Sequence, residues 1–156
     1  MNSDQHWLEE AAALARAGMA QGGGPFGAVI INDGAIVGRG WNQVTPSLDP
    51  TAHAEVVAIR DACQSLRRFD LRGCDLFTTC EPCPMCLAAI YWARVDRVYY
   101  ACSREDAAHA GFDDEVIYDQ IGLAIAERSL PMVQLGCGAA HNLFRDWMAN
   151  PDKVRY

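Results

Sequence analysis

Two short apolar segments joined by a tight-turn signal constrain the fold of this chain more than any other feature of its sequence. Residues 26–31 (FGAVII) and 36–41 (IVGRGW) flank the triplet Asn32-Asp33-Gly34. An Asp-Gly pair between apolar runs is a strong β-hairpin signal, because both residues tolerate the positive φ values that tight hairpin turns require. The sequence therefore predicts that the sheet begins with two neighbouring antiparallel strands.

Helical and strand-like segments alternate after this hairpin. Apolar residues at helical spacing predict a helix over about 4–20, a second beginning near 51–53, a third from Pro84 to about Ala93, and a last helix that includes 143–148. Further strands are predicted at 75–79, 98–102 and 132–135, and residues 105–119 are predicted to form a loop with a short helical turn. This order predicts an α/β protein with one mixed five-stranded sheet and helices on both faces, a three-layer α/β/α architecture.

Length and charge limit the classes of function. The 156 residues suffice for a single domain, which we expect to span 1–156. A formal net charge of −7 argues against a nucleic-acid partner, because binding to a phosphate backbone requires clustered cations. No apolar run approaches the roughly 18 residues of a membrane helix, and the N-terminus has no signal-peptide core. We therefore expect a cytoplasmic protein with neither a nucleic-acid nor a membrane partner.

Two segments at predicted helix starts carry the residues best suited to chemistry. The first contains His53 and Glu55, and the second contains Cys83 and Cys86. The i, i+3 spacing turns both cysteines towards one point, and helix N-termini favour their thiolate forms. One imidazole and two thiolates leave the fourth position of tetrahedral zinc open, as in catalytic rather than structural sites. Glu55 can then exchange protons with a metal-bound water without being a ligand, whereas Cys80 is interpreted as packing near the site.

The joint pattern His-x-Glu followed by Pro-Cys-x-x-Cys is the signature of zinc deaminases. Over nearly its whole length the chain resembles the cytidine deaminase-like superfamily and, within it, the bacterial guanine deaminases. The resemblance rests on the zinc motifs together with the following residues: Gly24-Pro25-Phe26-Gly27-Ala28, Asn42, Asp49 to Glu55, Cys80 to Arg94, Ala110-Gly111-Phe112-Asp113-Asp114, Ile117-Tyr118 and the terminal Tyr156.

The resemblance implies a purine-metabolism enzyme that hydrolyses guanine to xanthine and ammonia with Zn²⁺ as cofactor. Zinc held by His53, Cys83 and Cys86 would carry the hydroxide that attacks C2, and Glu55 would shuttle protons. On chemical grounds the purine can be bound by Phe26, Trp92 and Tyr156 as walls, and Asn42 can donate to O6 or N7. Asp114, which the resemblance favours over Asp113, can accept from ring N–H groups.

For several of these residues a structural role remains open. Phe26 and Trp92 can be core residues, Asn42 can cap a loop, and the acids around Asp114 can be solvated surface. For the substrate, guanosine or a triazine such as ammeline is the alternative. A tRNA adenosine deaminase is disfavoured by the negative charge, and a non-catalytic zinc module by the presence of Glu55.

The C-terminal segment 131–156 is rich in aromatic and apolar residues for a chain end. One interpretation is that it packs back on its own domain. The resemblance instead implies a homodimer in which the two C-terminal segments are exchanged, so that Tyr156 closes the partner's active site.

Overall fold

The computed structural model describes residues 3–156 in eleven helices and strands. They are α1 (Ser3–Met19), β1 (Gly27–Asn32), β2 (Ala35–Trp41), α2 (Val44–Ser47), α3 (Ala54–Leu66), β3 (Cys74–Cys80), α4 (Pro84–Ala93), β4 (Arg97–Cys102), α5 (Arg104–His109), α6 (Glu115–Gly122) and α7 (Gly138–Ala149), with a short 3₁₀ turn at Ile125–Glu127. The chain divides into two compact units, one ending at Glu115 and the other spanning Val116–Tyr156.

The first unit contains one mixed sheet with the strand order β2-β1-β3-β4. Strand β1 is antiparallel to both β2 and β3, whereas β3 and β4 are parallel. The prediction of a mixed sheet is confirmed, but the sheet has four strands and not five. Residues 132–135 are not in a strand, because a strand requires a hydrogen-bonded neighbour and periodicity alone does not provide one.

The segment 105–119 is also more ordered than predicted. It contributes to two helices, α5 and α6, instead of a loop with one turn. Ser103 caps α5: its hydroxyl accepts from the backbone N–H of Asp106, and the Asp106 carboxylate accepts from the backbone N–H of Ser103. This capping box is visible in the sequence as a serine followed three residues later by an acid.

Helices cover both faces of the sheet, because alternate residues of β1 face opposite sides. Ala28 and Ile30 belong to a buried cluster that includes residues of α3 and α4. Val29 and Ile31 belong to a second cluster, in which Phe77 of β3 packs with apolar residues of α1. The α/β/α layering predicted from the sequence is therefore present in the first unit.

A close backbone approach fixes where α3 begins. A Cβ atom on Gly40 of β2 would lie 2.0 Å from the carbonyl oxygen of Ala54, the first residue of α3. Only glycine permits this approach, so the first turn of α3 lies directly on the end of β2. The register places Trp41 opposite Gly27 and Thr78 opposite Ala28, so β2 and β3 end at the edge where β1 begins. Both α3 and α4 start near that edge.

The second unit contains most of α6, the 3₁₀ turn and α7. None of its side chains is buried, and several large apolar ones are highly exposed, among them Val133 and Leu135 at 80% and Phe144 at 75%. Across residues 3–156, no helix has both the length and the apolar character needed to cross a membrane.

Candidate active site

Two helix N-caps bring the three predicted metal ligands together. His53 is the N-cap of α3 and Cys83 is the N-cap of α4, both with extended backbone at ψ values of 155° and 167°. Cys86 lies in the first turn of α4 and is almost fully buried. The His53 side chain makes no cap hydrogen bond to α3, and the Cys83 thiol hydrogen-bonds with Cys86 in the first turn of α4, so the imidazole and both thiols meet in front of the two helices.

The distances between these donors fit zinc. His53 Nδ1 lies 3.5 Å from Cys83 Sγ and 3.5 Å from Cys86 Sγ, and all three donor atoms lie within 4.8 Å of one another. Tetrahedral zinc with Zn–S distances of about 2.3 Å and Zn–N distances of about 2.0–2.1 Å separates nitrogen from sulfur by about 3.5 Å. The His-Cys-Cys set therefore matches a zinc site in both donor chemistry and spacing, with one coordination position left for solvent or substrate.

The thiols of Cys83 and Cys86 differ in their tendency to ionise. The contact with Cys86, followed by the contact with His53, lowers the pKa of Cys83 to about 4. The same coupling, together with burial, raises the pKa of Cys86, and the hydrogen bond with Cys83 raises the pKa of His53. The protein alone therefore favours one thiolate at Cys83 rather than the two expected from the helix N-termini. Zinc needs both as thiolates, so binding it must displace the Cys86 proton.

Glu55 lies beside this cluster and is only 6% exposed. Its Oε1 accepts a hydrogen bond from the Thr78 hydroxyl at 3.3 Å, and its Oε2 accepts one from the Cys86 thiol at 3.4 Å. Burial raises the pKa of the Glu55 carboxyl above its ordinary value. A buried carboxylate with a raised pKa, in contact with a metal-ligand set, is suited to accepting and returning protons.

Phe26 and Asn42 are joined where β1 begins and β2 ends. The Asn42 N–H donates to the Phe26 carbonyl at 3.0 Å, and the Asn42 side chain is buried, with 8% exposed. Its Oδ1 accepts from the Val44 N–H at 3.3 Å, which is the loop-capping role considered for this residue. That bond leaves Nδ2 as the group that can donate to a ligand. The Phe26 ring packs against the core cluster and meets Phe112 edge-to-face at 4.9 Å.

The adjacent acids Asp113 and Asp114 have different surroundings. Asp113 Oδ1 accepts from the Glu115 N–H at 2.9 Å, next to the start of α6. Asp114 is partly buried, and its charge contributes to the raised pKa of His53. Partial burial, and then the charge of Cys83, raise the pKa of Asp114 in turn. The structure therefore brings Asp114, and not Asp113, into the electrostatic surroundings of the metal-ligand cluster.

Trp92 lies in the last turn of α4 and is 63% exposed. It follows Cys83 by nine positions, which corresponds to about 13 Å along a helix axis. Tyr156 lies in the second unit and is exposed.

Cys80 is buried at the end of β3, where burial raises the pKa of its thiol to about 11, consistent with the packing role predicted for it.

Two residues near the site were not predicted. Thr78 contacts Glu55, and its sequence signal is a polar residue between Leu76 and Cys80 on a strand face that is otherwise apolar. The motif that contains Phe112 indicates no role for this residue, although its ring packs on Phe26. The T-shaped contact joins residues 86 positions apart, and no local pattern indicates such a pairing.

The comparisons with known proteins agree with the geometry. Residues 1–102 match the family model of the cytidine and deoxycytidylate deaminase zinc-binding region. The chain is 51% identical over 151 residues to the guanine deaminase of Bacillus subtilis, covering 96% of this chain and 97% of that one. A crystal structure of the Bacillus subtilis guanine deaminase superposes with a TM-score of 0.94 at 50% identity, covering 97% of this chain and 98% of the other.

Other relatives match a shorter part of the chain. The tRNA-specific adenosine deaminase of Agrobacterium fabrum is 44% identical over 95 residues, which is 61% of this chain and 62% of that protein. A guanine deaminase from Nitrosomonas europaea has a TM-score of 0.67 at 34% identity, with 69% of this chain and 63% of that one covered. The similarity that extends over nearly all of both chains is therefore to a guanine deaminase.

Proposed function

The chain belongs to the cytidine and deoxycytidylate deaminase family and is a zinc-dependent deaminase, and we propose that it hydrolyses guanine to xanthine and ammonia. The observation that carries this proposal is the extent of the similarity. The tRNA adenosine deaminase shares the zinc motifs over about three fifths of the chain, whereas the guanine deaminase from Bacillus subtilis is similar over the C-terminal part as well.

His53, Cys83 and Cys86 are proposed to hold the zinc ion, and their spacing supports this. When bound, zinc supplies a Lewis acid that makes a water molecule nucleophilic near neutral pH. The protein contributes the open fourth position, and the burial of Cys86 and Glu55 limits the access of bulk water.

Glu55 is proposed to move the protons of the reaction. Its carboxylate accepts a proton from the water that attacks C2 and delivers a proton to the 2-amino group. The new C–O bond forms at C2, the C–N bond breaks, and the amino group leaves as ammonia. The raised pKa of Glu55 supports this role, because a proton carrier works best when its pKa approaches the working pH.

Five residues are proposed to bind the purine. The Nδ2 of Asn42 donates to O6 or N7, and the Asp114 carboxylate accepts from a ring N–H. Phe26, Trp92 and Tyr156 provide apolar or aromatic walls. Asn42 is supported by its burial, and Asp114 by its partial burial and its electrostatic influence on His53. Trp92 and Tyr156 are supported by their aromatic character, which suits a flat base.

We further propose a homodimer that exchanges residues 131–156, so that Tyr156 closes the partner's site. The support is the exposure of apolar side chains throughout 116–156, because a stretch of this length leaves too much apolar surface in water for a stable monomer. Within the described residues β4 has a strand neighbour on one side only, so residues 132–135 of a second copy can supply the fifth strand of the predicted sheet. A cytoplasmic location stays a prediction.

A substrate panel tests the proposal. Purified zinc-loaded protein is assayed for ammonia release with guanine, guanosine, ammeline, cytosine and adenine, and for inosine formation in a tRNA substrate. We expect guanine to have the highest kcat/KM, and the Glu55→Gln variant serves as the inactive control. A higher kcat/KM for guanosine, ammeline or tRNA adenosine would reassign the substrate. No turnover of any of these substrates by protein with zinc bound would contradict the proposed activity.

A further inference from the structure

Thr78 is a buried polar residue that the reaction described above does not use. It lies on β3, is 1% exposed, and shares the strand face of Leu76 and Cys80. Placing a hydroxyl in an apolar layer costs free energy unless it is hydrogen-bonded. Its Oγ1 has two acceptors within reach, Glu55 Oε1 at 3.3 Å and the Gly27 carbonyl at 3.4 Å.

We propose that Thr78 is a positioning residue for the proton carrier Glu55, and this inference rests on the proposed function. By donating to Oε1, the Thr78 hydroxyl fixes one oxygen of the carboxylate on the sheet. The other oxygen, Oε2, then faces the metal-ligand cluster, where it already contacts the Cys86 thiol at 3.4 Å. Thr78 therefore determines that Oε2 is the oxygen that transfers protons, and it fixes the position of that oxygen.

Flexibility of the glutamate side chain makes such an anchor necessary. The terminal torsion of glutamate is broad and roughly two-fold, so packing alone does not orient the plane of the carboxylate. A hydrogen bond to one oxygen restricts that torsion. Small misplacements of a reacting group cost up to about 10²-fold in rate, so the orientation of this carboxylate matters for turnover.

The anchor itself is held rigidly. Thr78 belongs to an inner strand, paired with Ala28 of β1 on one side and Tyr100 of β4 on the other. Its side chain is β-branched, which restricts rotation about χ1 and fixes the direction of the hydroxyl. Thr78 is held in place by the sheet, and its hydrogen bond restricts the motion of the Glu55 side chain at the start of α3.

A purely structural role for Thr78 makes a different prediction. If the hydroxyl served only to satisfy the Gly27 carbonyl, its loss would weaken the fold and leave the rate of the chemical step unchanged. The neighbouring Thr79 provides the matched control, because its hydroxyl accepts from the Gly27 N–H at 3.1 Å and also joins β3 to β1. Thr79 has no hydrogen bond to Glu55 in the described chain.

The test compares Thr78→Val, Thr78→Ser and Thr79→Val by steady-state guanine kinetics, zinc content and thermal unfolding. We expect Thr78→Val to lower kcat about 10- to 100-fold, with zinc content retained and KM within about threefold of the parent. Thr78→Ser keeps the hydroxyl and is expected to retain kcat within about threefold. Thr79→Val is expected to lose stability and to keep kcat within about threefold. Thr78→Ala replaces Thr78→Val if the latter does not fold.

Three results would overturn the inference. They are an unchanged kcat in the variant that lacks the Thr78 hydroxyl, an equal loss in Thr78→Ser, or an equal loss in Thr79→Val. A parent enzyme without guanine turnover would instead contradict the proposed function. In that event crystal structures of the parent and Thr78→Val decide the matter: a rotated Glu55 carboxylate in the variant supports the positioning role, and an unmoved one rejects it.

Discussion

Replacing Glu55 by glutamine separates proton transfer from every other role of this residue. The side chain is 6% exposed and fits between Thr78 and Cys86. Glutamine has nearly the same volume, and its Oε1 can still accept the bond from the Thr78 hydroxyl. The fold and the three proposed metal ligands should therefore be preserved, while the amide accepts no proton at neutral pH. The variant removes the proton carrier and little else.

The expected loss follows from the role of the group. General acid–base catalysis typically contributes ~10²–10⁴-fold, which corresponds to about 3–5.5 kcal/mol at about 1.4 kcal/mol for each factor of ten. Glu55 is proposed for both proton steps, and no second carboxylate touches Oε1 or Oε2 among the described residues. The loss in kcat should therefore lie in the upper part of this range, with about one zinc per chain retained.

Glu81 provides the matched control for this assay. It is a partly buried carboxylate two residues before Cys83, and its Oε2 accepts from the Arg104 N–H at 3.1 Å. Glu81→Gln should keep kcat within about threefold. A loss below tenfold in Glu55→Gln with zinc in place would refute the assignment. An equal loss in both variants would mean that charge near the site, and not proton transfer, is responsible.

The same substitution has a pH signature in the stability of zinc-free protein. Burial raises the folded-state pKa of Glu55 above its unfolded value, so its favourable contribution is complete below the unfolded pKa of about 4.3. That contribution is lost as pH rises through the raised folded pKa. Glutamine does not titrate, so the Tm of Glu55→Gln relative to the parent should increase as the pH rises above the unfolded pKa of about 4.3. A constant difference in Tm would show that the pKa of Glu55 is not raised.

Four further outcomes are expected. Asn42→Ala and Asp114→Ala should raise the KM for guanine about tenfold or more at unchanged zinc content, because each leaves a polar edge of the base unpaired. Normal kinetics in both variants would show that Asn42 only caps its loop and that Asp114 is only a surface acid. In zinc-free protein at pH 6, iodoacetamide should label Cys83 first, since its pKa is about 4, and zinc should protect it; preferential labelling of another cysteine, by peptide mass mapping, would contradict this. Deleting 152–156 should leave zinc bound yet reduce turnover, and co-expression with Glu55→Gln should restore part of it through mixed dimers; verified mixed dimers without activity would show that the tail serves its own subunit. Chelation should lower the Tm, because the free energy of zinc binding adds to that of folding, and an unchanged Tm would argue against this coupling.

The sequence predicted the fold well where local signals and pairing coincide. The Asn32-Asp33-Gly34 turn and the apolar runs beside it predicted β1 and β2 to within one residue at each end. The stretch at 132–135 has the same apolar character but is not in a strand, because strand formation depends on a neighbour that no local pattern specifies. The helix α5 was missed for a different reason: the first residue of its capping box, Ser103, lies just outside the segment interpreted as a loop with a short helical turn.

In the site, too, some contacts could be predicted from the sequence and others could not. The metal-ligand cluster was predicted because two helix starts and an i, i+3 spacing constrain where side chains point. The contact between Thr78 and Glu55 was not predicted, since it depends on which face of β3 lies against α3. Trp92 shows what motif reasoning leaves open: it lies nine positions after Cys83, about 13 Å along the axis of α4, and its role as a pocket wall stays a prediction.

The N-caps of α3 and α4 explain why the proposed ligands and the proton carrier are so close in sequence. An N-cap usually carries a side-chain oxygen that bonds the first turn, worth about 0.5–2 kcal/mol, and His53 makes no such bond. Because an N-cap has extended backbone, its side chain points ahead of the helix, whereas Glu55 in the first turn points to the side, onto β3. One helix start thus presents a metal ligand and a carboxylate in different directions from positions two residues apart. The missing cap at His53 is a local cost to stability, and zinc binding is the interaction that can offset it, which couples the folding of the start of α3 to assembly of the active site.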